Sequence, residues 1–212
     1  MINETIVNLG GSKVFYRSRI QPGNKVSIIL LHGRSFTSEI WIDSGAFEKF
    51  AELGMNIYAP DYPGFGNSTD DNLYKFSRNF KNSSKFVFDF ASKLGLDQFM
   101  LMGASMGGGI ALRTIIDYPE LVSSAIVVGA AGVGAMRDEL AKIGSPLLII
   151  WGENDDVIKK DDGVMLKGLV RNSDLEIIDG ATHAAYLDNP QGFFDKVASF
   201  VERQKSVSSA KA

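Results

Sequence analysis

Three residues of this chain could act together as nucleophile, acid and base: Ser105, Asp155 and His183. A serine hydroxyl becomes a useful nucleophile when a base removes its proton, and the base needs an acid to orient it. Ser105 is the centre of GASMG (residues 103–107), a G-x-S-x-G pattern between an apolar run and a helix-like segment. Glycine two residues before and after a serine lets a strand and a helix pass closely around a strained turn. The pattern predicts a nucleophile, the alternative being a glycine-rich turn without chemistry.

The base must be one of the chain's two histidines. His32 follows an apolar run and opens an H-G-x-x turn, whereas His183 lies in a loop, GATH, ahead of the last predicted helix. The simpler interpretation of His183 is an exposed loop residue without a role. Asp155, in the loop GENDD after another apolar run, is the candidate acid. Its simpler interpretation is a solvated acidic turn.

Composition excludes several other classes of function. With 212 residues, of which 45% are hydrophobic, the chain is long enough for one domain, which we expect over residues 1–203. A net charge of −3 argues against nucleic acid or an anionic membrane as partner. The absence of cysteine excludes disulfides, thiolate metal sites and a cysteine nucleophile. Neither a signal peptide nor a membrane-spanning run is visible, so we expect a cytoplasmic protein.

Apolar runs alternate with helix-like segments along the chain. Strands are predicted over residues 5–9, 13–19, 26–31, 56–59, 98–102, 121–128, 146–151 and 175–178. Helices are predicted over 45–53, 74–94, 110–117, 161–168 and 190–203, with at most one short helix near 136–143. This alternation predicts an α/β fold with about eight strands in a mostly parallel sheet, an antiparallel first hairpin and helices on both faces. Residues 204–212 are expected to form a disordered tail.

Five motifs in this order resemble those of the α/β-hydrolase fold family, and the resemblance covers residues 5–203. The motifs are HGRS, DYPGFGNS, GASMG, GEND and GATH, each after a predicted strand. Ser105, Asp155 and His183 follow one another in the family's order of nucleophile, acid and base. Within the family, the chain looks most like the small capless branch that includes abhydrolase-domain-containing protein 14. The resemblance implies acyl transfer through a covalent intermediate, without a cofactor or a metal.

The same resemblance assigns the oxyanion hole to the backbone N–H groups of Arg34 and Met106. Two positions depart from the family pattern: Ala104 stands where many relatives carry histidine, and Arg34 follows H-G. The Arg34 side chain is expected to pair with a neighbour such as Asp61, the alternative being a substrate carboxylate.

The segment between the sixth and seventh strands limits the cover over Ser105. Larger relatives carry a cap domain there, and residues 129–145 are too few for one, so we expect an open, shallow pocket. The candidate pocket residues are aromatic and could equally belong to the core: Phe36, Trp41, Tyr62, Phe65 and Tyr186.

The leading hypothesis from the sequence is a serine carboxylic-ester hydrolase acting on small acyl esters. One alternative is an acyltransferase or deacylase that passes the acyl group to a thiol or an amine. Another is a non-catalytic interaction module on the same fold. Monomers are plausible, and the sequence does not determine the oligomeric state.

Overall fold

The computed structural model describes residues 1–77 and 79–209, without the side chains of 207–209. Its centre is an eight-stranded sheet in the order β1-β2-β4-β3-β5-β6-β7-β8. The strands are β1 (Asn3–Leu9), β2 (Ser12–Arg19), β3 (Val26–Leu31), β4 (Met55–Pro60), β5 (Phe99–Ala104), β6 (Val122–Val128), β7 (Leu147–Gly152) and β8 (Ser173–Ile178). The α-helices are α1 (Ile40–Asp43), α2 (Ala46–Glu52), α3 (Lys81–Lys93), α4 (Met106–Asp117), α5 (Arg137–Leu140), α6 (Lys160–Leu169), α7 (Ala185–Asp188) and α8 (Pro190–Ser209).

The predicted α/β fold is confirmed, including its antiparallel first hairpin. β1 pairs antiparallel with β2, and β2 pairs antiparallel with β4. The remaining pairings, from β4 to β8, are parallel. The inner strands are buried on both faces, as their continuous apolar sequences require.

Helices cover both faces of the sheet because side chains alternate along each strand. On β5, Met100 and Met102 join a core that includes Phe47 of α2 and Phe193 of α8. Leu101 lies on the opposite face with residues of α3 and α4. Each face therefore has its own hydrophobic core.

The order of the central strands gathers their carboxyl ends at one edge. β3 and β5 are neighbours, and the chain leaves the carboxyl end of β3 toward β4 but that of β5 toward β6, in the opposite direction. Ligands commonly bind at such a switch point. Leu31 pairs with Gly103, and Val128 pairs with both Ala104 and Ile150. The loops that follow β3, β5, β6 and β7 consequently leave the sheet side by side.

The segment between β6 and β7 holds no cap domain, as predicted. Residues 129–146 contain one 3-10 turn (Gly134–Met136) and the four-residue helix α5. The loop returns to the centre of the sheet, where the Ala131 N–H donates to the Ser105 carbonyl oxygen at 2.9 Å.

The prediction of a helix beginning at residue 74 is wrong, because α3 begins at Lys81. Phe80 has a φ of 57°, a left-handed conformation that a bulky residue rarely adopts and that interrupts a helix. A Cβ at Gly109 would lie 2.4 Å from Cε2 of Phe80, so the Phe80 ring packs directly on α4. This contact between distant segments outweighs the local apolar periodicity. Arg78 lies outside the described residues.

The predicted disordered tail also needs correction. Helix α8 continues through Ser209, and the Lys205 ammonium donates to the carbonyl oxygen of Leu53. Residues 210–212 lie outside the described residues.

Candidate active site

Ser105 occupies the sharp turn that its neighbouring glycines predicted. Its backbone has a φ of 53° and a ψ of −114°, strained values for a residue with a side chain. A Cβ at Gly103 would lie 2.1 Å from the Gly107 carbonyl oxygen, and one at Gly107 would lie 2.2 Å from the Leu31 carbonyl oxygen. Glycine is therefore required at 103 for β5 and α4 to pass this closely and at 107 for α4 to pass the end of β3, and Ser105 is left half-buried between them.

His183 and Asp155 form a hydrogen-bonded pair. The distance between His183 Nδ1 and Asp155 Oδ2 is 2.8 Å, and since an ionised carboxylate only accepts, Nδ1 carries the donated proton. The Asp155 side chain is fully buried, whereas the His183 side chain is 20% exposed. Asp155 Oδ1 accepts from the backbone N–H groups of Val157 at 3.0 Å and Ile158 at 2.9 Å. These bonds fix the carboxylate, which in turn fixes the imidazole.

The other imidazole nitrogen, Nε2 of His183, is buried and has no hydrogen-bond partner among the described residues. Buried polar atoms are usually satisfied, so an exception calls for a specific explanation. No hydrogen bond joins Nε2 to Ser105 in this structure, as is common for catalytic contacts before substrate binds.

The end of β6 brings the serine and the histidine pair together. The Ser105 N–H donates to the Val128 carbonyl oxygen at 2.8 Å. A Cβ on the next residue, Gly129, would lie 3.1 Å from His183 Nδ1 and 3.2 Å from Asp155 Oδ2. Ser105 and the histidine pair therefore pack on consecutive residues of the chain.

Arg34 and Met106 each present a backbone N–H at this edge. Met106 is the first residue of α4, where an N–H has no intrahelical acceptor and the helix dipole favours negative charge. Arg34 lies two residues beyond His32, and a Cβ on the intervening Gly33 would lie 3.6 Å from the Ser105 Cβ. Neither N–H donates to another group in the described part of the chain.

His32, the other histidine of the chain, uses both ring nitrogens in hydrogen bonds within the fold. Its ring is 1% exposed, Nδ1 is 2.8 Å from the Gly33 carbonyl oxygen, and Nε2 accepts from the Tyr62 N–H at 3.0 Å. Burial lowers the pKa of His32, although the Gly33 hydrogen bond and the charge of Asp61 oppose that shift. His32 is thus a neutral brace between the loops after β3 and β4.

The predicted ion pair between Arg34 and Asp61 is wrong. Asp61 is fully buried, and its two carboxylate oxygens accept from the backbone N–H groups of Ser38 at 2.8 Å and Asn67 at 2.9 Å. The exposed Arg34 guanidinium has no acidic partner among the described residues.

Two of the five predicted pocket aromatics, Trp41 and Tyr186, lie in the core, and Tyr62 is almost fully buried at the edge of a groove. Trp41 is fully buried and its ring centroid lies 5.1 Å from that of Tyr186, which is 2% exposed. Burial raises the pKa of Tyr186 to about 12. Tyr62 is 3% exposed, and its hydroxyl donates to the Tyr74 carbonyl oxygen. An aromatic residue beside a motif can pack in the core or line a pocket, and the sequence alone does not distinguish the two.

Phe36 and Phe65 are half-buried and line two open grooves beside Arg34. The Glu39 groove, of about 430 Å³, is lined by Arg34, Ser35, Phe36, Thr37, Glu39, Ile40, Asp43 and Phe65. The Lys75 groove, of about 340 Å³, is lined by Arg34, Tyr62, Pro63, Gly64, Phe65, Asp70, Tyr74, Lys75 and Phe76. Sequence reasoning missed Lys75 and Phe76 because it predicts a helix over residues 74–94, and no pattern singled out Asp70 in the loop after β4.

A family model described as the alpha/beta hydrolase fold matches residues 26–138, more than half of the chain. The chain belongs to the α/β-hydrolase fold family. This α/β-hydrolase is 26% identical to mouse (Mus musculus) protein ABHD14A over 91% of the chain and 78% of that protein. It is also 26% identical to a rat (Rattus norvegicus) protein named "Putative protein-lysine deacylase ABHD14B", over 95% of the chain and 96% of the relative.

A solved structure from Thermoplasma acidophilum, described as a "predicted CIB-like hydrolase", has the same fold as this α/β-hydrolase. The TM-score is 0.92 at 33% identity, over 96% of this chain and 99% of that one. The predicted resemblance to the abhydrolase-domain-containing protein 14 branch is therefore confirmed. None of the described helices combines the length and the apolar composition needed to cross a membrane.

Proposed function

We propose that this α/β-hydrolase is a serine carboxylesterase for small acyl esters. The observation that carries the proposal is the buried Nε2 of His183, which lacks a partner while Asp155 holds Nδ1. An imidazole oriented in this way is a general base whose accepting nitrogen is available to a serine hydroxyl. Ser105, half-buried in a strained turn on the adjacent backbone, supplies that hydroxyl.

The proposed reaction begins when Ser105 Oγ attacks the ester carbonyl carbon and its proton passes to His183 Nε2. The carbonyl oxygen gains the negative charge, which the backbone N–H groups of Arg34 and Met106 stabilise. Asp155 stabilises the imidazolium. The carbonyl then re-forms, the bond to the alcohol oxygen breaks, and the alcohol departs with the proton from His183.

Hydrolysis of the acyl-enzyme repeats these steps with water as the nucleophile. His183 takes a proton from water as the water oxygen attacks the acyl carbon. Breakage of the bond to Ser105 Oγ releases the acid, and His183 returns the proton to the serine. The cycle consumes one ester and one water and forms one acid and one alcohol.

The decisive test is Ser105→Ala assayed with 4-nitrophenyl acetate and with a fluorophosphonate probe that labels activated serines. We expect kcat/KM to fall by at least about 10³-fold, because the nucleophile is lost while binding groups remain. Labelling should occur in the wild type and disappear in the variant. Ser123→Ala, at an exposed serine near the start of β6, is the matched control.

Undiminished activity in folded Ser105→Ala would refute the serine mechanism. A wild-type protein that neither turns over esters nor reacts with the probe would favour the non-catalytic interaction module.

Protein-lysine deacylation is the second candidate, favoured by near full-length similarity to the rat relative of that name. Ser105 would attack the carbonyl carbon of the amide, and His183 would protonate the departing lysine amine. An acetyl-lysine peptide assay, with and without a small thiol as acyl acceptor, tests it. Conversion of acetyl-lysine to unmodified lysine in the peptide, dependent on Ser105, would support deacylation, with free acetate as the second product of hydrolysis. An acylated thiol would identify transfer. Ester hydrolysis without either product would exclude this candidate for that peptide.

A further inference from the structure

The Arg34 side chain is an unpaired cation beside the proposed oxyanion hole. Its guanidinium is exposed, and Asp61, the partner expected from the sequence, already accepts two backbone hydrogen bonds. A guanidinium offers a planar set of donors that matches a carboxylate. No carboxylate of the described residues forms an ion pair with this guanidinium, so its donors are left for a ligand.

The Lys75 groove extends from Arg34 and adds a second cation over an aromatic floor. Lys75 is exposed and has no ion-pair partner among the described residues. Phe76 is 43% exposed, and its ring stacks on Tyr62 with centroids 4.6 Å apart. Phe65 meets Phe76 edge to face at 5.9 Å. An exposed aromatic surface in a groove that also contains two cations suits a ligand with an apolar body and an anionic end.

The two grooves differ in the sign of their charge. The Lys75 groove contains Arg34, Lys75 and one carboxylate, Asp70. The Glu39 groove shares Arg34 but contains two carboxylates, Glu39 and Asp43. An anion entering beside Arg34 is therefore repelled from one groove and attracted to the other.

We propose that the Lys75 groove binds the carboxylate of an acidic ester, with Arg34 and Lys75 as its cationic partners. This inference rests on the proposed function, because Arg34 also supplies the proposed oxyanion N–H. The carboxylate could be carried by the acyl group or by the alcohol, and the shared chemistry is an anion joined to an apolar segment.

Matched ester pairs test this preference. Mono-4-nitrophenyl adipate and its methyl ester place the charge, or its neutral counterpart, on the acyl group. 4-Acetoxybenzoate and its methyl ester place it on the leaving group. The acid-to-neutral ratio is kcat/KM for the acid divided by kcat/KM for its methyl ester. We expect this ratio to exceed one in at least one pair, which shows whether the groove faces the acyl group or the leaving group. The ratio should decrease in about 1 M salt, where the Debye length is about 3 Å.

Charge variants then assign the preference to the groove. Arg34→Gln and Lys75→Gln should each lower the acid-to-neutral ratio about fivefold, since charge pairs at exposed sites contribute modestly. Asp70→Asn removes the opposing charge and should raise the ratio. Lys25→Gln is the matched control, because this exposed lysine precedes β3 at the opposite end of the sheet. Using the ratio cancels any change that affects both esters equally.

A binding measurement separates this inference from the proposed function. Titration calorimetry requires no turnover. 4-Acetoxybenzoate and benzoate are titrated into Ser105→Ala and into the double variant that combines Ser105→Ala with Arg34→Gln. Weaker binding in the double variant, together with no hydrolysis by the wild type, would refute the hydrolase and support the anion groove. The opposite result is rapid hydrolysis by the wild type, with acid-to-neutral ratios and binding that Arg34→Gln and Lys75→Gln leave unchanged. It would overturn the anion groove and leave the proposed hydrolase intact.

Discussion

His32 and His183 lie at the same edge of one sheet, yet their ring nitrogens have different hydrogen-bond partners. His32 uses both ring nitrogens within the fold and is 1% exposed. His183 uses Nδ1 for Asp155 and leaves Nε2 without a partner. A histidine whose hydrogen bonds are all met can brace a loop, but it has no nitrogen left to receive a proton. The two histidines therefore differ in whether a ring nitrogen is left without a hydrogen-bond partner. Substitutions at and around them test whether that difference decides activity.

Replacing His183 should have the largest effect on activity. In His183→Gln we expect kcat/KM for 4-nitrophenyl acetate to fall about 10⁴-fold, because no base remains to accept the proton of Ser105. Thermal unfolding should change little, since the side chain is partly exposed. Near-normal activity would mean that the unpartnered Nε2 has no catalytic role.

The carboxylates after β7 test whether orientation by Asp155 matters. Asp155→Asn should lower kcat/KM about 10³- to 10⁴-fold, because an amide can hold the imidazole in the wrong tautomer. Asp156→Asn, at the exposed neighbouring residue, is the matched control and should leave activity within about twofold. Equal losses in both variants would show that the adjacent carboxylate shares the role.

How far the sequence predicted this arrangement depends on the range of the interactions involved. The glycines around Ser105 are a local pattern, whereas the order of Ser105, Asp155 and His183 was interpreted through the resemblance to the α/β-hydrolase family. The structure brings these residues to one edge. The start of α3 and the burial of Trp41 depend on contacts with distant segments, which no local pattern encodes. For the same reason, the two charged grooves could not be foreseen.

The predicted ion pair of Arg34 shows why contacts between distant segments are hard to predict from the sequence. A cation and a carboxylate close to the same edge were expected to pair, but the backbone N–H groups of Ser38 and Asn67 occupy Asp61. Competition between a guanidinium and backbone amides is decided by loop geometry, which becomes visible only once the chain is folded.

Replacing His32 should affect stability first. In His32→Ala the buried Tyr62 N–H loses its acceptor and a cavity forms, so we expect a loss of about 2–4 kcal/mol in the free energy of unfolding. Urea denaturation measures this loss, and activity per folded molecule should decrease less than in His183→Gln. A larger loss of activity in His32→Ala than in His183→Gln would reverse the roles of the two histidines.

The smallest effect concerns pH. Burial lowers the pKa of His32 in the folded protein below its ordinary value of about 6.5. Between those two pKa values the unfolded chain binds more protons than the folded one, so stability falls as the pH is lowered through this window. His32→Gln removes that titration and should reduce the pH dependence of unfolding by up to about 1.4 kcal/mol per pH unit. Urea denaturation of both proteins from about pH 8 to about pH 5 measures the difference. Because every other titrating group is common to the two proteins, identical slopes would mean that the folded protein protonates His32 as readily as the unfolded chain does. The Tyr62 N–H would then not hold Nε2 as an acceptor, and the proposed contrast with His183 would fail.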